Sequence, residues 1–387
     1  MRGIAVKDRL AKRQQVLHAV REHPGASRSQ IAGRLQLSVG TVRLITKELT
    51  ATGLLEAAGV AHTGGRPSTR LWLADNVEWI MGVDLGEVDI RMAVYDLTGK
   101  PRYSRRTPFR RIDGAVDVDH VVSEVTAALA ATPGAVIGIG LAVPGQLDLA
   151  AGRVMFSTNL GWQDVELRDR VAAATGLPVY MERNSTAGMI GELWWGRHEK
   201  HEVGVYITMG SGVGSCIRVG EEIFRGENGM AGELGHLVLD PDGPLCRCGR
   251  HGCLETYAST RALQARFDAL RGEGAPPLDI VDALRDDDPA ALEVILDGGR
   301  YLARALATLV NLLNPGLIIL SGQLLKGTSH LVLQLEQAVR ERALPRSAES
   351  LRVVASGLGD EGMLLGAATI VMAALYRSEL AGKELCA

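Results

Sequence analysis

The stretch from Ala231 to Ser259, AGELGHLVLDPDGPLCRCGRHGCLETYAS, constrains the fold more than any other part of the chain. It holds Cys246, Cys248 and Cys253, three of the five cysteines, and His236 ten residues before the first of them. Three thiolates and one imidazole make a Cys3His tetrahedral set, a common composition for a structural Zn2+ site. Gly249 and Gly252 permit the tight backbone that gathers three sulfurs around one ion. Four protein ligands close the coordination shell and leave no position for a catalytic water. The spacing is not that of a nucleic-acid-binding zinc finger. The plainer alternative is three buried cysteines beside a core histidine.

A chain of 387 residues has room for two or three domains. No apolar run approaches the ~20 residues needed to span a bilayer. The N-terminus is charged and lacks an apolar signal core. The expectation is a cytoplasmic protein without membrane contact, whose reduced thiols favour metal over disulfide. Charge is unevenly spread. Residues 1–75 carry 12 Lys/Arg against 5 Asp/Glu, a net +7, and the remainder carries 30 against 40, a net -10. A basic module on an acidic body suggests a nucleic-acid-binding head, residues 1–75, and a body, 76–387, that binds something else.

In the head, Leu10, Val16, Leu17 and Val20 fall near helical spacing, and His23-Pro24-Gly25 ends that run. Ser27-Arg28-Ser29-Gln30 is a capping box that opens a short helix. Leu37 and Ser38 make the turn, and Ser38 caps a third helix with Val42, Ile45 and Leu49 inward. The outer face of that helix shows Gly40, Thr41, Arg43 and Lys47. Three helices with a tight turn before the third predict a helix-turn-helix on double-stranded operator DNA. Arg43 is the natural base reader and Lys47 a phosphate contact, with Ser38, Gly40 and Thr41 beside them. A three-helix bundle without a DNA role is the other reading. Residues 54–56 and 69–73 read as two strands of a wing, with Gly64-Gly65-Arg66-Pro67 between them. Arg66, held extended, suits a narrow minor groove.

The zinc segment and the Gly-Arg-Pro wing resemble those of the ROK family, which contains sugar kinases and sugar-responsive transcriptional regulators. The resemblance implies an α/β fold: a winged helix-turn-helix head and a two-lobed actin/hexokinase-like ATPase body with a structural zinc site. It also implies roles. Glu233, in Glu233-Leu234-Gly235-His236, would put a carboxylate on the bound sugar. His236 would bind zinc through one ring nitrogen and face the sugar with the other. Glu255, Gly145 in Ala142-Val143-Pro144-Gly145 and Asn159 in Asn159-Leu160-Gly161-Trp162 match further sugar positions.

Two departures from the family's kinases decide the expected activity. The first phosphate loop, Asp-x-Gly-Gly-Thr in kinases, here reads Asp84-Leu85-Gly86 followed by Glu87, Val88 and Asp89. Two carboxylates would face a triphosphate and the Thr hydroxyl is gone. Where kinases carry Asn-Asp-Ala, with the Asp as general base, this chain has Arg183-Asn184-Ser185. Loss of a positioned base costs ~10²–10⁴-fold. Asn184 can still hydrogen-bond a hydroxyl. Arg183 either faces solvent or favours a phosphorylated or acidic sugar. The expected function is a sugar-responsive transcriptional regulator and repressor without kinase activity, acting as a homodimer or tetramer with a sugar or sugar phosphate effector. The alternatives are a bifunctional sugar kinase with a DNA-binding head, and a regulator whose input is another protein.

Overall fold

The computed structural model describes residues 12–13, 15–51, 53–61, 68–74, 78–86, 88–199, 201–325, 329–359 and 361–384. The head consists of α1 (15–22), α2 (Arg28–Leu35), α3 (Val39–Ala51), and a hairpin of β1 (Leu55–Ala61) and β2 (Ser68–Leu73). The Ser27 box forms as the sequence predicts, with the Ser27 side chain on Gln30 N–H and the Gln30 side chain on Ser27 N–H. The turn differs. The chain reverses at Gln36, which adopts φ 53 and ends α2, one residue before the expected Leu37. Ser38 then caps α3, accepting from Thr41 N–H at 3.0 Å. Val16, Leu17, Val20, Ile31, Val42, Ile45, Leu49 and Leu71 close the head core.

The body contains two sheets built to one plan. The first lobe runs β3 (Trp79–Leu85), β4 (Asp89–Tyr95), β5 (Pro101–Pro108), β6 (Arg111–Ile112), β7 (Ala115–Val116), α4 (Val118–Ala130), β8 (Val136–Val143), β9 (Gln146–Asp148), β10 (Arg153–Ser157), β11 (Trp162–Val165), α5 (Leu167–Thr175) and β12 (Val179–Arg183). A connecting helix, α6 (Asn184–Trp195), follows. The second lobe runs β13 (Val203–Met209), β14 (Val213–Val219), β15 (Glu222–Phe224), α7 (Glu255–Ala258), α8 (Thr260–Arg271), α9 (Ile280–Arg285), α10 (Pro289–Leu313), β16 (Leu317–Ser321), α11 (Ser329–Arg340), α12 (Pro345–Ala348) and β17 (Arg352–Ala355). A last helix, α13 (Glu361–Glu384), ends the described chain.

The sheet orders are β5-β4-β3-β8-β12 and β15-β14-β13-β16-β17. In each, three antiparallel strands are followed by two that add in parallel. The inner parallel strands β8 and β16 are buried on both faces, which is why they read as nearly unbroken apolar runs. Helix α4 begins at Val118, because Asp117 caps it and Ala115–Val116 pair with β6.

Helices α6 and α13 pass between the lobes in backbone contact. A Cβ on Gly366 would lie 1.8 Å from the Ala187 carbonyl oxygen, and one on Gly191 would lie 2.3 Å from that of Gly362. The small residues of 362–376 therefore serve packing within the body. Trp195 closes α6 and donates from its indole N–H to the Thr369 hydroxyl at 2.7 Å. The Arg21 guanidinium of α1 lies 4.7 Å above the Trp195 ring. Head and body share one apolar core here, since Ile80, Tyr95, Leu97, Leu364 and Met372 continue the head cluster.

Candidate ligand pocket, metal centre and DNA-facing helix

The thiol segment folds into a knuckle. Gly249 N–H bonds the Cys246 carbonyl at 2.9 Å, with Gly249 at φ +85, and Cys246 N–H bonds the Arg250 carbonyl at 2.7 Å. The short 3-10 turn Leu234–His236 brings the imidazole across. Cys248 and Cys253 Sγ are 3.7 Å apart, and Cys246 Sγ is 3.7 Å from His236 Nδ1. A tetrahedral ion with Zn–S bonds of ~2.3 Å sets thiolates about 3.8 Å apart, whereas a disulfide needs ~2.05 Å. All four donor atoms lie within 4.8 Å of one another. Burial raises the Cys253 thiol; Cys248 is pulled down because hydrogen bonds from Arg250 and the neighbouring thiols outweigh its own burial. Three thiolates cannot share this space without a cation, so the donor set fits a divalent metal, and its composition fits zinc. Nδ1 faces the sulfurs, which leaves Nε2 for a ligand.

The knuckle fixes two carboxylates. Glu233 precedes the 3-10 turn and Glu255 opens α7, two residues after Cys253. Glu255 accepts from Val213 N–H at 3.2 Å and lies 3.7 Å from Arg261. Asn159, in the turn after β10, donates to the Ser211 hydroxyl at 3.3 Å. The β13–β14 turn, 210–212, thus links Asn159 to Glu255. Gly145 follows β8 at φ +114, backed against the Phe156 carbonyl. Arg183 ends β12 and is not solvent-facing. Its side chain is 10% exposed, pairs with Glu233 at 2.9 Å and donates to the Ala231 carbonyl at 2.6 Å. Glu233 neutralises that charge, which removes the simplest ground for an acidic ligand.

Asn184 stands at the first turn of α6. Its Nδ2 donates to Asp84 at 2.8 Å and to the Leu85 carbonyl at 3.2 Å. Both partners are acceptors, so the amide orientation is fixed. Its Oδ1 is buried and has no hydrogen-bond partner among the described residues, an acceptor suited to a sugar hydroxyl.

Asp84 is fully buried, and burial holds its carboxyl above the usual range against the pull of Arg91. Arg91 sits directly opposite Asp84 in the β3–β4 pair and bonds one carboxylate oxygen while Asn184 takes the other. Each oxygen already accepts a hydrogen bond, so a cation accompanying a triphosphate would compete with Arg91 and Asn184 for this carboxylate. Gly86 N–H is spent on the Asp89 carbonyl at 2.9 Å, and Gly210 N–H on the Gly212 carbonyl at 3.0 Å. Asp89 does not face a phosphate as the sequence suggests; it is buried and ion-paired with Arg106. Glu87 lies outside the described residues.

On α3, Ser38 and Thr41 turn their hydroxyls on each other at 2.8 Å. Gly40, Arg43 and Lys47 are exposed, and neither Arg43 nor Lys47 forms a salt bridge with a described residue. Arg66 and the wing tip, 62–67, lie outside the described residues. Sequence reasoning passed over Arg91, whose meaning depends on strand register, and Leu44, which is 56% exposed between Arg43 and Lys47.

The chain matches the ROK family over residues 80–374 and the winged helix-turn-helix DNA-binding family over 9–56. It is 30% identical over 375 residues to a putative xylose repressor of Caldicellulosiruptor sp. strain Rt8B.4, spanning 92% of this chain and 94% of that one. Among solved structures it resembles a ROK family transcriptional regulator, a homolog of the E. coli MLC protein. The TM-score is 0.77 at 28% identity, covering 95% of this chain and 96% of the other. A ROK glucokinase from Streptomyces griseus in complex with glucose and AMPPNP aligns with a TM-score of 0.64 at 30% identity. That likeness covers 98% of the glucokinase but 76% of this chain. The chain belongs to the ROK family and carries a winged helix-turn-helix head before its ROK body.

Proposed function

We propose that the chain is a sugar-responsive, DNA-binding transcriptional repressor that does not phosphorylate its effector. The observation that carries this reading is the closed Asp84 site. Arg91 and Asn184 occupy the carboxylate where a kinase needs a free acid and a general base, while the head and the sugar-side residues are retained. The similarity to a putative xylose repressor along nearly the whole chain, head included, supports the same conclusion.

In this reading Asn159, Asn184, Glu233, His236 and Glu255 bind the hydroxyls of a sugar, with Gly145 closing one wall. Arg183 holds Glu233 in place and leaves its second oxygen for the ligand. Cys246, Cys248, Cys253 and His236 hold a structural Zn2+, which keeps Glu233, His236 and Glu255 on one rigid loop. On the DNA side Arg43 reads a base and Lys47 neutralises phosphate, with Arg66 in the minor groove. The protein acts in the cytoplasm as a homodimer or tetramer, placing two heads on a pseudo-palindromic operator. The effector acts by binding one arrangement of the lobes better than another, and a coupling of ~1–3 kcal/mol suffices for a several-fold to hundredfold change in operator affinity.

The test has two arms. Fluorescence anisotropy with a duplex selected by the purified chain should show nanomolar-range binding that one neutral pentose or hexose changes at least fivefold. A coupled ADP-release assay across the same sugars should stay at background. Turnover at ordinary enzymatic rates would instead support the bifunctional kinase.

A further inference from the structure

The outward face of α3 carries an exposed apolar side chain that the proposed DNA contacts do not use. The buried stripe is Val42, Ile45, Thr46 and Leu49. At 100° per residue, the line opposite that stripe runs through Gly40, Leu44 and Lys47, with Arg43 on its flank. Leu44 stands at the middle of this line and is 56% exposed, and Val39 at the start of the helix is 52% exposed. Gly40 presents no side chain, and a Cβ there would meet nothing closer than Ser38 Oγ at 3.6 Å. The helix backbone can therefore come close to a partner on Leu44's N-terminal side.

The surroundings say what that partner is. Arg43 and Lys47 flank Leu44 as exposed cations with no salt bridge to any described residue, and Ser38 and Thr41 are tied to each other. A protein surface that buried Leu44 would have to desolvate both cations or supply two carboxylates. The major groove supplies phosphates at its rim and, on its floor, one apolar group: the C5-methyl of thymine. The position of α3 is fixed independently of any partner, because Arg28 of α2 donates to the Thr46 hydroxyl at 2.8 Å.

We infer that Leu44 is a specificity-determining residue that selects thymine by contact with its C5-methyl, next to the base read by Arg43. The inference rests on the DNA-binding reading above. It names a base preference that a cationic helix alone would not produce.

The experiment begins with a duplex enriched from a random pool by the purified full-length chain. Each thymine in the enriched core is then replaced in turn by deoxyuridine, which removes the methyl and keeps every hydrogen-bonding edge. For the unaltered chain, one or two of these replacements should weaken binding about three- to fivefold, the size of one lost methyl contact. Leu44→Ala should bind the thymine duplex about three- to tenfold more weakly and show no further loss at the same positions. Its melting temperature should match the unaltered chain, since the side chain is largely exposed. Equal deoxyuridine sensitivity in both proteins, or none in the unaltered chain, overturns the role of Leu44 and leaves DNA binding standing. A pool in which nothing is enriched overturns the DNA-binding reading and this inference with it.

Discussion

Replacing Asn184 by Asp restores, on paper, the carboxylate of a kinase general base. In this structure it should instead damage the protein. Asn184 Nδ2 lies 2.8 Å from one Asp84 oxygen and 3.2 Å from the Leu85 carbonyl. The substitution turns a donor into a third acceptor. Two unit charges 2.8 Å apart repel by about 6 kcal/mol at an effective dielectric constant near 20. The variant escapes most of that by sharing one proton between the two carboxyls, as close acid pairs do. Holding a carboxyl protonated at pH 7 against an unfolded value near 3.9 costs about 4 kcal/mol. The sign follows from the raised folded value. Above pH ~4 the folded variant binds more protons than its unfolded chain, so its stability falls as pH rises, by about 1.4 kcal/mol per unit. With Asp84 ionised against Arg91 in the unaltered chain, Asn184→Asp should lose roughly 3 kcal/mol more at pH 7 than at pH 5 relative to it. Denaturation midpoints of both proteins between pH 5 and pH 8 measure this. A variant equally stable at both ends, or one that begins to release ADP with a sugar, refutes the reasoning.

Cys248→Ser should lose bound zinc and its response to sugar, read by metal analysis per chain and by operator anisotropy; full occupancy in the variant would remove Cys248 from the ligand set. Arg43→Ala should weaken operator binding by about 1–3 kcal/mol and relax one base position in the enriched pool; an unchanged pool counts against α3 in the groove. Gly366→Ala forces a Cβ to within 1.8 Å of the Ala187 carbonyl. It should destabilise the body by about 1–3 kcal/mol or more, and a melting curve identical to the parent would show that α6 and α13 can separate at no cost.

What the sequence disclosed was local. The Ser27 box, the Ser38 cap and the Cys/His knuckle each lie within a short span, where a few residues decide the backbone and can be read in order. The breaks at Asn184 and in the first phosphate loop were legible because a missing carboxylate or hydroxyl shows in the letters themselves. What closes the loop was not. Arg91 reaches Asp84 only because the β3–β4 register sets them opposite one another. The Arg183–Glu233 pair joins positions fifty residues apart, so its neutralised charge could not be foreseen. Gln36 carries no glycine-like signal for its left-handed turn, and the matching order of the two sheets follows from pairings that no single strand announces.

The Trp195 stack has a mechanical consequence. Helix α6 begins at Asn184, beside the unsatisfied acceptor, and ends at Trp195, beneath Arg21 of the head. Twelve residues of helix make a rod about 18 Å long, and the close Gly191 and Gly366 contacts clamp its middle to α13. In the proposed reading, with sugar at Asn184 and DNA on α3, a rod gripped at its centre would act as a lever, carrying a tilt at Asn184, reversed, to the end beneath Arg21. By reciprocity, operator DNA would press back through the same arm and alter how tightly the sugar is held.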